Sequence, residues 1–143
     1  MINLIYKINK KGTKKMLKEL TTSELYVMKS VWDLGDGIRL SHIVKQVTTV
    51  YHMNWKSQTV STFLNKLVQK GYIESYRDGQ YIHYRILISQ EEYKADQIET
   101  QAGFWNQGNV VAYASNLLKN SKLAEEEITQ LQKTLEELKN DLN

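Results

Sequence analysis

The side chains best equipped for chemistry are concentrated in one stretch, Trp55 to Gly71, WKSQTVSTFLNKLVQKG. Val60, Phe63, Leu64, Leu67 and Val68 recur at the spacing of a single apolar helical stripe. The opposite face carries Ser57, Gln58, Ser61, Thr62, Asn65, Lys66 and Gln69, all hydroxyls, amides or a cation and none acidic. A solvated helix face ordinarily mixes both signs of charge. Hydroxyls, amides and lysines are what a helix lying in a DNA major groove needs for base edges and phosphates. The plainer alternative is a polar surface helix.

Catalytic chemistry has no comparable basis. His42, His52 and His83 are scattered over two helical stretches and a strand, with no carboxylate pair or nucleophile at a supporting spacing. Cysteine is absent, which excludes disulfides, zinc fingers, thiolate copper sites and thiol nucleophiles together. The seven glycines stand singly, so no glycine-rich loop cradles a phosphate. The chain is read as no enzyme, with no cofactor and no metal.

The elements around this stretch are then legible in order. Thr21 and Glu24 have capping-box spacing, with Leu20 and Leu25 placed to staple over them. That first helix is expected to bury Leu25, Met28, Val31 and Trp32 and to stop at Gly35. Ile38 to Leu40 reads as a very short strand, and Ser41 as the N-cap of a second helix packing Ile43, Val44, Val47 and Tyr51. His52 to Trp55 connects to the third helix, which ends at Gly71 with Tyr72 folding back on Leu67. The period then changes to two. Tyr72–Arg77 and Gln80–Leu87 flank Asp78-Gly79, a strong hairpin signal, with Ile82, Tyr84 and Ile86 facing inward. Three helices with a polar-faced third, followed at once by a hairpin, is the layout of a winged helix-turn-helix.

Charge is distributed unevenly. Residues 1–20 hold six Lys against one Glu, residues 21–88 eight basic against five acidic, and residues 89–143 five against ten. The front is suited to a polyanion and the tail is not. Residues 1–19 are read as a basic, disordered extension, with Met16 as an alternative start. No apolar run approaches the roughly 18 residues of a membrane span, so a cytoplasmic protein is expected.

From Ser89 the pattern is helical again. Ser89 and Glu92 form another capping box, and Gly103 and Gly108 interrupt the pattern around Phe104 and Trp105. Val110, Val111, Ala114, Leu117 and Leu118 carry a short apolar helix. Ile128, Leu131, Leu135, Leu138 and Leu142 then form an a/d seam over about two heptads. One short seam cannot close a core by itself, so a second copy of the chain is the expected partner. Packing back on the winged helix within a monomer is the alternative.

With these residues in view, the chain resembles the penicillinase-repressor (BlaI/MecI/CopY) family of bacterial regulators. The matching pieces are SELYVMKSVW (Ser23–Trp32), WKSQTVSTFLNKLVQKGYI (Trp55–Ile73), DGQYIHY (Asp78–Tyr84), ISQEEY (Ile88–Tyr93) and NLLKNSKLAEEEITQL (Asn116–Leu131). The resemblance implies a homodimeric repressor whose heads bind an inverted-repeat operator and whose C-terminal helices hold the dimer. It maps the family's positions at the start of the recognition helix onto Trp55, Lys56 and Thr59. Lys56-Ser57 replaces the usual Ser-Pro, so the helix is expected to start one residue later with Ser57 as its cap. In the β-lactam branch a membrane sensor's signalling leads to cleavage at an Asn-Phe bond in the C-terminal domain. That bond falls on Asn116-Leu117 here, which makes a sensor-activated protease a candidate partner. The copper branch's cysteine cluster is missing.

The fold class expected is mainly α with a small β hairpin: a winged helix-turn-helix DNA-binding domain over residues 20–88 and a helical dimerisation domain over 89–143. The residues expected at double-stranded DNA are Lys56, Ser57, Gln58, Thr59, Ser61, Thr62, Asn65 and Lys66, with Arg77, Gln80 and Tyr81 at the hairpin tip. Val110, Ala114, Leu117, Leu118, Ile128, Leu131, Leu135 and Leu138 are expected at the dimer contact. Two other readings stand beside this one. One is a winged-helix protein-interaction module, which the Lys66 and Lys70 charges on the third helix argue against. The other is a MarR-type ligand-gated regulator with a pocket near Trp105 and Tyr113, although aromatics at helical spacing usually belong to a core.

Overall fold

Two short strands, β1 (Lys7–Ile8) and β2 (Lys14–Lys15), pair antiparallel near the start of the chain, Lys7 opposite Lys15. The computed structural model describes these residues and 17–142. The rest of the lysine-rich front, Met16 included, lies outside the described residues. Leu17, at the end of that front, packs into the main hydrophobic core.

Helix α1 (Thr22–Leu34) is started by the capping box read from the sequence: Thr21 Oγ1 accepts the Glu24 N–H at 3.2 Å and Glu24 Oε1 accepts the Thr21 N–H at 2.9 Å. Its buried side is Glu24, Val27, Met28, Ser30 and Val31. Leu25 and Trp32, expected in the core, are only half-buried because they lie on the adjoining face of the helix. Strand β3 (Ile38–Arg39) leads directly into α2 (Leu40–Thr49), whose N-cap is Arg39 with no side-chain cap. Ser41 is therefore inside the helix and not its cap. The strand pairing of Arg39 fixes the chain two residues before the hydroxyl is reached. Ile43 and Val47 are buried from this helix, with Val44 packed beside them.

Helix α3 (Ser57–Gln69) closes with a Schellman arrangement. The Tyr72 N–H donates to Leu67 O at 3.0 Å and the Gly71 N–H to Val68 O at 3.0 Å. This requires a left-handed residue at position 71, and Gly71 has φ 81°. Strands β4 (Ile73–Asp78) and β5 (Tyr81–Ile86) form the wing, with β3 on the other edge of β5. Asp78 pairs with Tyr81, so the two-residue turn is Gly79-Gln80 and not Asp78-Gly79. Gly79, φ 68°, supplies the positive φ at the first turn position. Tyr84 is buried and Ile86 half-buried as expected, but Ile82 is 46% exposed because the wing tip runs past the core.

Helix α4 (Gln90–Asn106) starts from the Ser89–Glu92 capping box. Gly103 does not interrupt it. The break comes after Asn106, where Gln107 and Gly108 both take positive φ. α5 (Val110–Lys119) is capped by the Asn109 side chain on the Ala112 N–H, and α6 (Glu125–Asn140) follows. The chain divides within α4: the winged-helix unit runs on to Ile98, and Glu99 onward forms a separate helical unit. Among the described residues no helix is long and apolar enough to cross a membrane.

One ion pair fastens α1 to the end of α3. Lys70 Nζ donates to Glu24 Oε1 at 2.5 Å and to the Glu19 carbonyl at 2.8 Å. Burial pushes the Glu24 carboxyl up, but the hydrogen bonds from Lys70 and Thr21 outweigh it and hold the group below the ordinary carboxylate range. A carboxyl lowered by folding adds stability above its unfolded value of 4.5, and that stability is lost as pH falls through the folded value. Lys70→Met leaves a buried carboxylate without its cation and is expected to cost about 3 kcal/mol in urea unfolding at neutral pH. It should also flatten the acid loss of stability, and an unchanged acid profile would count against this assignment.

Candidate nucleic-acid interface

The core side of α3 buries Val60, Leu64 and Leu67, which leaves the opposite side to solvent. Ser57, Gln58, Thr62, Asn65, Lys66 and Gln69 are exposed there, while Thr59 and Ser61 are half-buried at the edges of the face. The helix starts as sharply as the sequence suggested but by other means. Lys56 is the N-cap, in extended conformation and without a side-chain cap, and Ser57 is the first helical residue, not the cap. No acidic residue occupies the first turn. Trp55 holds this end in place by packing its ring on Phe63, centroids 5.1 Å apart.

Two side chains on this helix differ in chemistry from what their types suggest. Thr62 Oγ1 donates to the Gln58 carbonyl at 3.0 Å, so its proton is engaged within the helix and its oxygen faces a ligand as an acceptor only. Lys70, counted from the sequence as a second cation of the exposed face, is turned back to Glu24 and Glu19. Lys66 is the remaining cation on the α3 face, with no acidic partner among the described residues.

The wing brings Arg77, Gln80 and Tyr81 to one exposed tip. Arg77 Nη1 donates to the Gln80 carbonyl at 3.3 Å across the turn. The Arg39 guanidinium lies 4.1 Å from the centre of the Tyr81 ring, a cation–π contact that brings an arginine from β3 to the wing. Sequence reading missed Arg39, because only the pairing of β3 with β5 places it there. His83 is structural: its Nδ1–H donates to the Gly37 carbonyl at 2.7 Å, and Tyr76 stacks on its ring. Nothing in this arrangement brings a nucleophile to a base.

In the helical unit, the residues expected at a dimer contact are uncovered in the single chain. Val110 is 45% exposed, Leu117 59%, Ile128 46%, Leu135 63% and Leu138 58%, with Ala114, Leu118 and Leu131 half-buried. Asn116 and Leu117 both lie exposed in α5. Phe104 and Trp105 are exposed as well and pack edge to face on one another. Trp105 and Tyr113 line an open groove of about 430 Å³ together with Asn106, Asn116 and Asn120.

A family model described as Penicillinase repressor matches residues 20–137. The chain belongs to the penicillinase repressor family. The penicillinase repressor of Bacillus licheniformis is 27% identical over 126 residues, covering 88% of this chain and 96% of that protein. The methicillin resistance regulatory protein MecI of Staphylococcus aureus strain N315 is 24% identical over 128 residues, covering 87% and 94%. Among solved structures, Bacillus licheniformis BlaI in its monomeric form with the blaP half-operator matches 54% of this chain and 90% of that one, at 25% identity and a TM-score of 0.45. This penicillinase repressor family member is thus a transcriptional repressor with a winged-helix DNA-binding domain.

Lys66→Ala is expected to weaken binding to all duplexes alike and to reduce the salt slope of log K by about 1. Thr62→Val, which keeps the shape and removes the acceptor, should instead change the ranking of operator variants while leaving the slope intact. Fluorescence anisotropy across a salt series reads both. Identical slopes for Lys66→Ala and the parent would remove Lys66 from the interface.

Proposed function

We propose that this repressor works in the cytoplasm as a homodimer, each head laying α3 in the major groove of one half of an inverted-repeat operator. The observation that carries the reading is the acid-free exposed face of α3, Ser57, Gln58, Thr62, Asn65 and Lys66, on a helix whose other side is the core. Lys56, Thr59 and Ser61 border that face. Arg77, Gln80 and Tyr81 at the wing tip are assigned to the backbone beside the groove.

Dimerisation is assigned to the seam of the helical unit. Burying Val110, Leu117, Ile128, Leu135 and Leu138 would contribute on the order of 10 kcal/mol. That is comparable with the cost of bringing two chains together, so each side chain matters. Leu135→Asp is expected to give a sedimentation mass of one chain at micromolar concentration, with operator affinity falling at least tenfold. A parent protein that itself sediments as one chain there would overturn the dimer.

Release is assigned to cleavage at Asn116-Leu117 by a sensor-activated protease, following the resemblance to the β-lactam branch. The bond lies inside α5, where the Asn116 carbonyl accepts from the Asn120 N–H at 3.2 Å. A protease that takes an extended strand therefore needs α5 to unwind locally first.

The decisive experiment is a shift assay on the DNA upstream of the repressor's own gene, with salt varied. The expected result is a salt-sensitive shift that a mutated half-site abolishes. No shift at low salt would sink the operator reading.

A further inference from the structure

The half-buried side of α1 has no role in the DNA face and still forms a built cleft. Leu25, Tyr26 and Trp32 of α1, Tyr51 beyond α2, and Tyr93 of α4 surround a groove of about 360 Å³ inside the winged-helix unit. Two aromatic pairs stand in it. Tyr26 and Tyr51 have ring centroids 5.7 Å apart, and Trp32 and Tyr93 5.4 Å apart. The volume falls within the range of small-molecule sites, and an apolar wall with a few polar groups is their usual construction. This is also where Leu25 sits, the residue whose spacing called for burial.

The polar groups of the groove select the sign of the occupant. At one end Asp33 is already satisfied: Lys29 Nζ bonds it at 2.5 Å, and the Tyr51 hydroxyl and Gln46 Nε2 donate to its other oxygen. At the other end Gln90 and Lys94 stand four residues apart on one face of α4, with no partner for either side chain among the described residues. Four aromatic rings alone would suit a cation. Lys29 and Asp33 neutralise one another, and the unpaired Lys94 at the rim reverses that preference.

We propose that this groove binds a small planar aromatic carboxylate, its ring against Tyr26, Trp32 and Tyr93 and its carboxylate on Lys94 and Gln90. The occupant bridges α1 to the first turns of α4, next to the bond from Trp32 Nε1 to the Ile88 carbonyl at 2.9 Å. Such a site is independent of the operator reading, since it is measured on the free full-length protein.

The test uses naphthoate as probe, by calorimetry and by the indole N–H signal of Trp32, which Trp32→Phe identifies. A Kd of about 100 µM is expected for a ligand of this size. The Trp32 signal should move and those of Trp55 and Trp105 should not. Lys94→Gln should weaken naphthoate about tenfold and leave neutral naphthamide unchanged. Naphthamide binding the parent as well as naphthoate does, or a quaternary ammonium binding in its place, would overturn the assignment. So would saturation that Lys94→Gln leaves untouched. A Leu25→Glu variant keeps a second-copy contact in view: a change in its sedimentation mass would assign the groove to chain association and overturn the ligand site. An unchanged mass with naphthoate binding lost supports it.

Discussion

Tyr72 is the residue on which the winged-helix unit converges. It is fully buried, and each of its polar groups belongs to a different segment. Its N–H closes α3 on Leu67, its carbonyl accepts the N–H groups of Leu87 and Ile88 where the wing returns, and its hydroxyl donates to the Lys18 carbonyl at 2.6 Å. Its ring meets Tyr93 of α4 edge to face. Burial pushes the phenol far above its ordinary range, so the hydroxyl remains a donor at any pH the protein tolerates. Helix α3, the wing and α4 are therefore referenced to one residue. Losing its ring and hydroxyl would leave a cavity and take the donor from the Lys18 carbonyl at the same point.

The exposed polar face of α3 depends on that anchoring. That helix is held by its other side: Val60, Leu64 and Leu67 below, Trp55 on Phe63 at the start, and Lys70 with Tyr72 at the end. Orientation of the exposed polar groups is thus decided by core packing, and their identity by the positions that packing leaves over. The two tasks divide one helix lengthwise.

How much of this was legible in the sequence follows from how local each signal is. Capping boxes at Thr21 and Ser89, the stop at Gly71 and the change from helical to strand period need only neighbouring residues, and they were found where expected. Errors arose where a distant partner decides. Arg39 displaces Ser41 as cap because β3 is held by β5, and the turn moves to Gly79-Gln80 because strand register places Asp78 opposite Tyr81. Lys70 looked like a surface cation until Glu24, across the core, engaged it. The polar face of α3 was visible in composition, whereas the Arg39–Tyr81 contact at the wing required the sheet.

The inward turn of Lys70 has a consequence for how firmly a single head can hold. With that charge withdrawn, the cations presented by α3 and the wing are Lys56, Lys66, Arg77 and Arg39, enough to neutralise about 4 phosphates. A head with so few such contacts is easily displaced by counterions at cellular ionic strength. In the dimer proposed above, two heads would raise each other's effective concentration at the second half-site, and avidity would then substitute for charge. On that proposal an inducing event need not reach α3 at all: separating the heads would be sufficient to clear the DNA.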